Sequence, residues 1–418
     1  MLSSVLTILF SAVTFFGSFR KYYPIFIFLV FAFGKTSDFV AFQVGNNSIE
    51  FVYIGSLIFF VRALQFAKNN YITKLLLTTY FVYLLYILLR FLTDDLTIIE
   101  SYKYSRPLII QINILTAFIY CSRYSITNLL QCAYYASVAY MGYIIFLVLS
   151  HNTLVFFHFA TFGLAAGYIV SINLFYIDEL VEPRFHLLSK FIGYAGMIGV
   201  FMGMSRGGMI AIITPFLFMF IFDKTKRTKS MSLFLVVGGV VLLSSYFLNA
   251  LIPSSYIYEH QGARNLNELF QVTQNLATIS TRLLRWEYLI NGFIDNPLMG
   301  TGFYEANSIF ALFRDAWQAH NYFLAILGGG GLLLFIPNIA VTAYPIREFL
   351  GKLTSLKSNL NKEVLLGFVI FLEVININFF NTYYYQMWSA VFIWALMGLS
   401  LRMLTSGLSS INTSDQDV

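Results

Sequence analysis

The chain has 418 residues, 58% of them hydrophobic and 11% charged, with a mean hydropathy of +0.72. Soluble domains carry about 25% charged residues, so this balance excludes a soluble globular fold and requires an integral membrane protein. The net charge of +6 is small for the length and gives no footing for nucleic acid, and Cys121 and Cys132 lack the spacing of a metal site or a disulfide framework.

A helix that crosses the hydrocarbon core needs about 20 mostly apolar residues. In chain order, stretches of that kind fall at 2–18, 22–42, 51–67, 73–92, 107–121, 129–150, 153–177, 188–204, 207–222, 231–252, 321–345, 364–380 and 387–404. The first has neither a basic start nor a small-residue cleavage pattern, so it reads as a span and not a removed signal. Arg20-Lys21 divides it from the second, which Lys35 and Asp38 weaken, leaving twelve spans as the alternative count. The expected fold is therefore an all-α polytopic membrane protein of about 12–13 helices. Residues 1–252 form an N-terminal bundle, 253–320 one large loop, 321–405 the last spans and 406–418 a polar tail.

Basic residues collect in alternate loops. Seventeen of the 26 Lys and Arg fall in the set that begins with Arg20, including the clusters at 223–230 and 347–362, and nine fall in the other. The richer set is expected on the cytoplasmic side, which puts the 253–320 loop outside. That loop is far longer than the other connections, and long loops of mixed composition usually carry function. Within it, Ile279, Leu283, Trp286, Ile290 and Phe293 recur at helical spacing, predicting an amphipathic helix on or just above the membrane. Asn296-Pro297 ends it, and Gly300 and Gly302 make the following turn.

Several residues have the chemistry of a site. Arg206, in GMSRGGM between two spans, is expensive to bury unless paired; it reads as a ligand for an anion or as a headgroup anchor. Arg282 and Arg285 share a helix face, and guanidinium groups bind phosphate oxygens in pairs; a face touching lipid phosphates is the other reading. His320 precedes Asn321 at the start of the next span and has the protonation range of a general base, though a His at a span edge is also commonly structural. Glu373, with Asn376 nearby, is an intramembrane carboxylate that is either a site or a packing group. Trp286 and Tyr304 are placed to stack on sugar faces or to anchor at the interface, and Gly328–Gly331 permit close helix packing.

Taken in order, SRGGMIA (205–211), TRLLRWEYLINGFIDNPLMGTGF (281–303) and HNYFLAILGGGG (320–331) resemble the O-antigen polymerase and O-antigen ligase superfamily of bacterial inner membranes. The resemblance covers about residues 195–340. It implies a lipid-dependent (GT-C-like) glycosyltransferase architecture with a large periplasmic loop and an active site facing the periplasm. Carried over onto matching positions, it makes Arg206, Arg282 and His320 catalytic, with Asn321 beside the His; Arg285 is offset from the family's position and is expected, with Trp286 and Tyr304, to bind substrate. The donor it implies is a glycan on undecaprenyl pyrophosphate, with no cofactor and no metal; membrane lipids and a chain-length regulator are the implied partners. Some ligases carry H-x-H-N, whereas Gln318 and Ala319 precede His320 here, which leans toward polymerase. Ligase is the alternative, and a lipid-linked oligosaccharide flippase the alternative of another class.

Overall fold

The computed structural model describes residues 9, 11–15, 17–33, 40–44, 47–93, 107–151, 159–202, 206–222, 228, 232, 235, 239, 272–303, 321–355, 361–380 and 387–406. The described chain is a helical polytopic membrane protein. Its helices are α1 (Phe19–Phe33), α2 (Phe51–Leu64), α3 (Tyr71–Thr93), α4 (Leu108–Arg123), α5 (Ile126–His151), α6 (Phe159–Phe175) and a short α7 (Ile177–Leu180). They continue as α8 (His186–Met202), α9 (Arg206–Phe222), α10 (Val272–Asp295), α11 (Tyr322–Ser355), α12 (Lys362–Phe380) and α13 (Met387–Ser406).

The expected span 22–42 is corrected. α1 stops at Phe33, and Val40–Val44 pairs antiparallel with Asn47–Glu50, with Val40 opposite Glu50 and Val44 opposite Asn47. Lys35 and Asp38 break the apolar run, while Val40, Phe42 and Val44 alternate with a period of two, the pattern of a strand and not of a helix. Nearly all of the expected span 231–252 and of the 253–271 stretch lies outside the described residues.

Two helices form the centre. Every side chain of α4 from Leu108 to Cys121 is buried, and α13 is buried from Ser389 to Leu401. A helix apolar all round belongs inside a bundle. The two approach closely because Gly398 has no side chain: a Cβ there would lie 2.2 Å from the Ile114 carbonyl oxygen. Phe31 of α1 stacks on Phe392 of α13 with centroids 3.5 Å apart. α6, α8, α9 and α12 form a second group, with Gly163 of α6 directly on Gly208 of α9. Small residues are what bring helices together in lipid, where burial of apolar surface supplies no drive.

Among the described residues, members of the two sets of basic residues lie at opposite ends of the bundle. At one end Arg62 donates to the Gly17 and Phe15 carbonyls, Tyr120 donates to the Arg20 carbonyl, Lys362 lies 3.8 Å from Glu179, and Lys352 donates to the Leu404 carbonyl. Arg90 marks the other end, where it meets the turn after α10.

α11 covers the expected span 321–345, and its length and composition suffice to cross a membrane, but it is not straight. Gly331 has φ 59° and ψ −163°, a region that glycine alone occupies comfortably. Residues sixteen apart in a straight helix are about 24 Å apart. Tyr322 nevertheless donates its hydroxyl to Asn338 Oδ1 at 2.7 Å. The chain therefore folds back at Gly331 into two arms, α11a (residues 322–330) and α11b (residues 332–355).

Candidate functional site

The break in α11 leaves the last carbonyls of α11a and the first amides of α11b without helical partners. The turn after α10 supplies both. Thr301 and Gly302 donate their N–H groups to the Gly328 and Gly329 carbonyls, each at 2.9 Å. In return, the N–H groups of Leu332 and Leu333 reach the carbonyls of Pro297 and Leu298 at 2.9 and 3.1 Å. One loop thus caps two helix ends, which explains the glycines on both sides of the joint. A Cβ at Gly300, where φ is +64°, would lie 2.4 Å from the Gly328 carbonyl oxygen, and one at Gly331 2.4 Å from the Leu298 carbonyl oxygen.

α3 holds the joint from outside. The Tyr86 hydroxyl donates to the Gly329 carbonyl at 2.6 Å. The buried Arg90 guanidinium donates to the Met299 carbonyl at 2.8 Å and to the Gly300 carbonyl, and it lies over the Tyr86 ring.

α10 and α11a both run toward this joint, and Leu289 sits directly on Gly328. Arg282 and Arg285 lie on the same helix, two turns and one turn before that contact. Arg285 is only 8% exposed, yet Leu284 and Ile294 on the same helix are 59% and 65% exposed. The amphipathic helix expected from sequence is present, with Arg285 and Leu289 turned toward the protein and Leu283, Leu284, Ile290 and Ile294 exposed. Leu283 and Ile290 of the expected stripe thus lie on the exposed face, while Trp286 and Phe293 are half-buried. Such a face is stable against lipid, not water.

At the far end of α11a, Asn321 is buried and accepts the Leu324 N–H at 3.0 Å, an N-cap. Next to it, Asn338 is the hub of a polar cluster. Its Oδ1 accepts from Tyr322 and from Gln111 Nε2 at 3.2 Å, and its Nδ2 donates to the Tyr83 hydroxyl at 2.5 Å. The Trp394 ring lies 5.0 Å from that of Tyr322. Tyr83 is seven residues down α3 from Arg90, about 10 Å deeper. The sequence places His320-Asn321 at the mouth of a span; Asn321 instead lies inside, because the fold-back at Gly331 turns the start of α11a toward the bundle. His320, bonded to it, and Tyr304 lie outside the described residues.

Arg206 begins α9. Phe218 and Phe222 at the other end of α9 meet Phe349 of α11b, near the basic-rich end, so Arg206 is at the same end of the bundle as the joint. α9 packs chiefly on α6 and α12, not on α10. The fold therefore sets Arg282 and Arg285 on a helix that packs on α11a, the arm that Asn321 caps, and sets Arg206 at that end on another helix. Glu373 is fully buried and accepts the Ser171 hydroxyl at 2.6 Å, and Asn376 donates to Thr214 at 3.3 Å; both tie α12 to its neighbours. Arg90, Tyr86 and Asn338 were missed in the sequence. The signal for Arg90 was a single guanidinium ending a 23-residue apolar helix, costly there without acceptors.

These features define a polytopic membrane protein with a broken helix, capped by a loop, at one end of its bundle. Residues 191–339 match the family model described as O-antigen ligase, which supports the O-antigen polymerase and ligase superfamily. The match runs from α8 through the joint to the first turns of α11b, the region in which the resemblance was read. No curated protein matches the chain.

Proposed function

We propose that this protein is a polymerase of O-antigen or a related surface polysaccharide, working at the periplasmic face of the bacterial inner membrane. It transfers a growing glycan from undecaprenyl pyrophosphate to an incoming lipid-linked repeat unit. The observation that carries the reading is the family match at 191–339, which includes two arginines on α10, the helix that packs on α11a at Leu289 and Gly328. Arg282 and Arg285, with Arg206, hold the diphosphate and stabilise its charge as it leaves; preorganised charge is often the largest single term in catalysis. The N-terminal end of α11a adds partial positive charge. His320 removes the proton from the attacking sugar hydroxyl, an effect usually worth about 10²–10⁴ in rate. No metal is required if the arginines neutralise the leaving group. Trp286 and Tyr304 stack on sugar, and a chain-length regulator is a partner.

The ligase reading has one observation in its favour, the description of the matched family, and would transfer the finished glycan to lipid A-core. Gln318, where H-x-H-N would place a His, favours the polymerase. Deletion separates them. A polymerase null still displays a single repeat unit on the core, whereas a ligase null displays none. Purified protein that elongates lipid-linked repeats in detergent excludes a flippase. His320→Ala should lower elongation at least 10²-fold; wild-type rates in that variant remove the general base. Activity abolished by EDTA and restored by Mg²⁺ overturns the metal-free account.

A further inference from the structure

We infer that Arg90 is a positioning residue for the proposed glycosyl transfer: it fixes the angle between the helix that carries Arg282 and Arg285 and the arm that begins at Asn321. The inference rests on that functional reading for its consequence, but on hydrogen bonds alone for its geometry. Both carbonyls that Arg90 holds belong to peptide groups whose other side is also engaged. The Met299–Gly300 peptide offers its carbonyl to Arg90 and its N–H to the Asn296 carbonyl at 2.8 Å, closing the turn off α10. The Gly300–Thr301 peptide offers its carbonyl to Arg90 and its N–H to the Gly328 carbonyl, tying that turn to α11a. A peptide plane gripped on both edges cannot rotate. Released on one edge, these planes flank Gly300, whose backbone reaches both signs of φ at little cost, so nothing local replaces the guanidinium.

Tyr86 grips the other half of the joint. The Gly329 carbonyl accepts its hydroxyl and the Gly302 N–H together. A neutral donor would satisfy a carbonyl more cheaply than a buried cation does. What the planar guanidinium adds is two bonds from a single fixed nitrogen to two successive carbonyls. The lever is long. Arg285 is eleven residues from Asn296, about 16 Å along the helix, so a tilt of about 4° at the joint moves it by about 1 Å. A displacement of that size at a reacting centre can cost about 100-fold in rate.

The test uses the full-length protein in detergent, with lipid-linked repeat units as substrate. Arg90→Gln is expected to lower kcat 10- to 100-fold in the folded fraction while KM changes less than threefold, with Arg90→Lys in between. Tyr86→Phe should show a weaker loss of the same kind. Spin labels at Phe81→Cys on α3 and Leu284→Cys on α10, both exposed, with Cys121 and Cys132 replaced by Ala, read how α10 is set against the helix that bears Arg90 and Tyr86, which hold the joint. Their distance distribution should shift or broaden in Arg90→Gln. If Arg90→Gln does not fold, Arg90→Lys carries both readouts. Wild-type kcat in the folded fraction overturns the inference even if the melting temperature falls, as does an unchanged distance distribution. Should the unmodified protein fail to elongate at all, the functional reading falls, and the spin-label distances still decide whether Arg90 sets the joint.

Discussion

The α4–α13 centre and the α10–α11 joint are both close-packed and both depend on glycine, but different forces hold them. At the centre, Gly398 lets the Ile114 backbone approach, with the Ala117 methyl as the nearest side chain, among buried apolar residues of both helices. The contact there is dispersion and shape, and it tolerates rearrangement. At the joint, the contacts are seven backbone or side-chain hydrogen bonds to named carbonyls, and a shift in one peptide plane leaves buried groups unpaired. A packed centre is built for stability; a joint of this kind is built to hold an angle.

Gly331→Ala should break that contrast most severely. It places a Cβ 2.4 Å from the Leu298 carbonyl oxygen and forces an L-residue into a glycine-only region. We expect a loss of about 3 kcal/mol or more, seen as failure to recover monodisperse protein by size-exclusion chromatography. Asn338→Leu comes next. It leaves Tyr83, Tyr322 and Gln111 without their shared partner, at about 1–3 kcal/mol for a buried group left unpaired. Thermal unfolding in detergent checks it, and the start of α11a should become protease-sensitive first.

Gly398→Ala tests the packed centre. Overpacking costs about 1–3 kcal/mol, so the melting temperature should fall, while activity per folded molecule stays at the wild-type value. If activity falls as well, the two regions are not separable in the way described. The smallest effect is expected at Gly142, where a Cβ meets nothing within 4 Å. Gly142→Ala should stabilise by about 0.5–1 kcal/mol through the helix propensity of alanine.

Much of this was legible in the chain. The spans at 51–67, 73–92, 188–204 and 387–404 became α2, α3, α8 and α13 with small changes at the ends. Among the described residues, Arg62, Lys352 and Lys362 lie at one end of the bundle and Arg90 at the other, as their loops predict. The end of the amphipathic helix at Asn296-Pro297 and the turn at Gly300 and Gly302 are where the residue types demand them, with φ of +64° and +89° at the two glycines. What failed was the 22–42 span, because a window average hides a change of period from 3.6 to 2. The role given to Gly328–Gly331 was too modest for a related reason. Four glycines license close packing, but only the capping loop, 30 residues earlier in the chain, makes a fold-back stable there.

The residues themselves determined that this is a membrane protein, where most of its helices lie, and which guanidinium groups are candidates for an anion. Those follow from hydropathy, charge and turn chemistry, which are properties of short windows. The tertiary structure decided that Arg285 faces inward while its neighbours Leu283 and Leu284 face out, that Asn321 lies within the bundle, and that Arg90 is bound to the Gly300 turn. Each of these depends on a hydrogen bond or contact between residues far apart in sequence, such as Tyr322 with Asn338 or Arg90 with Met299. Local pattern carries no record of a partner more than a few turns away.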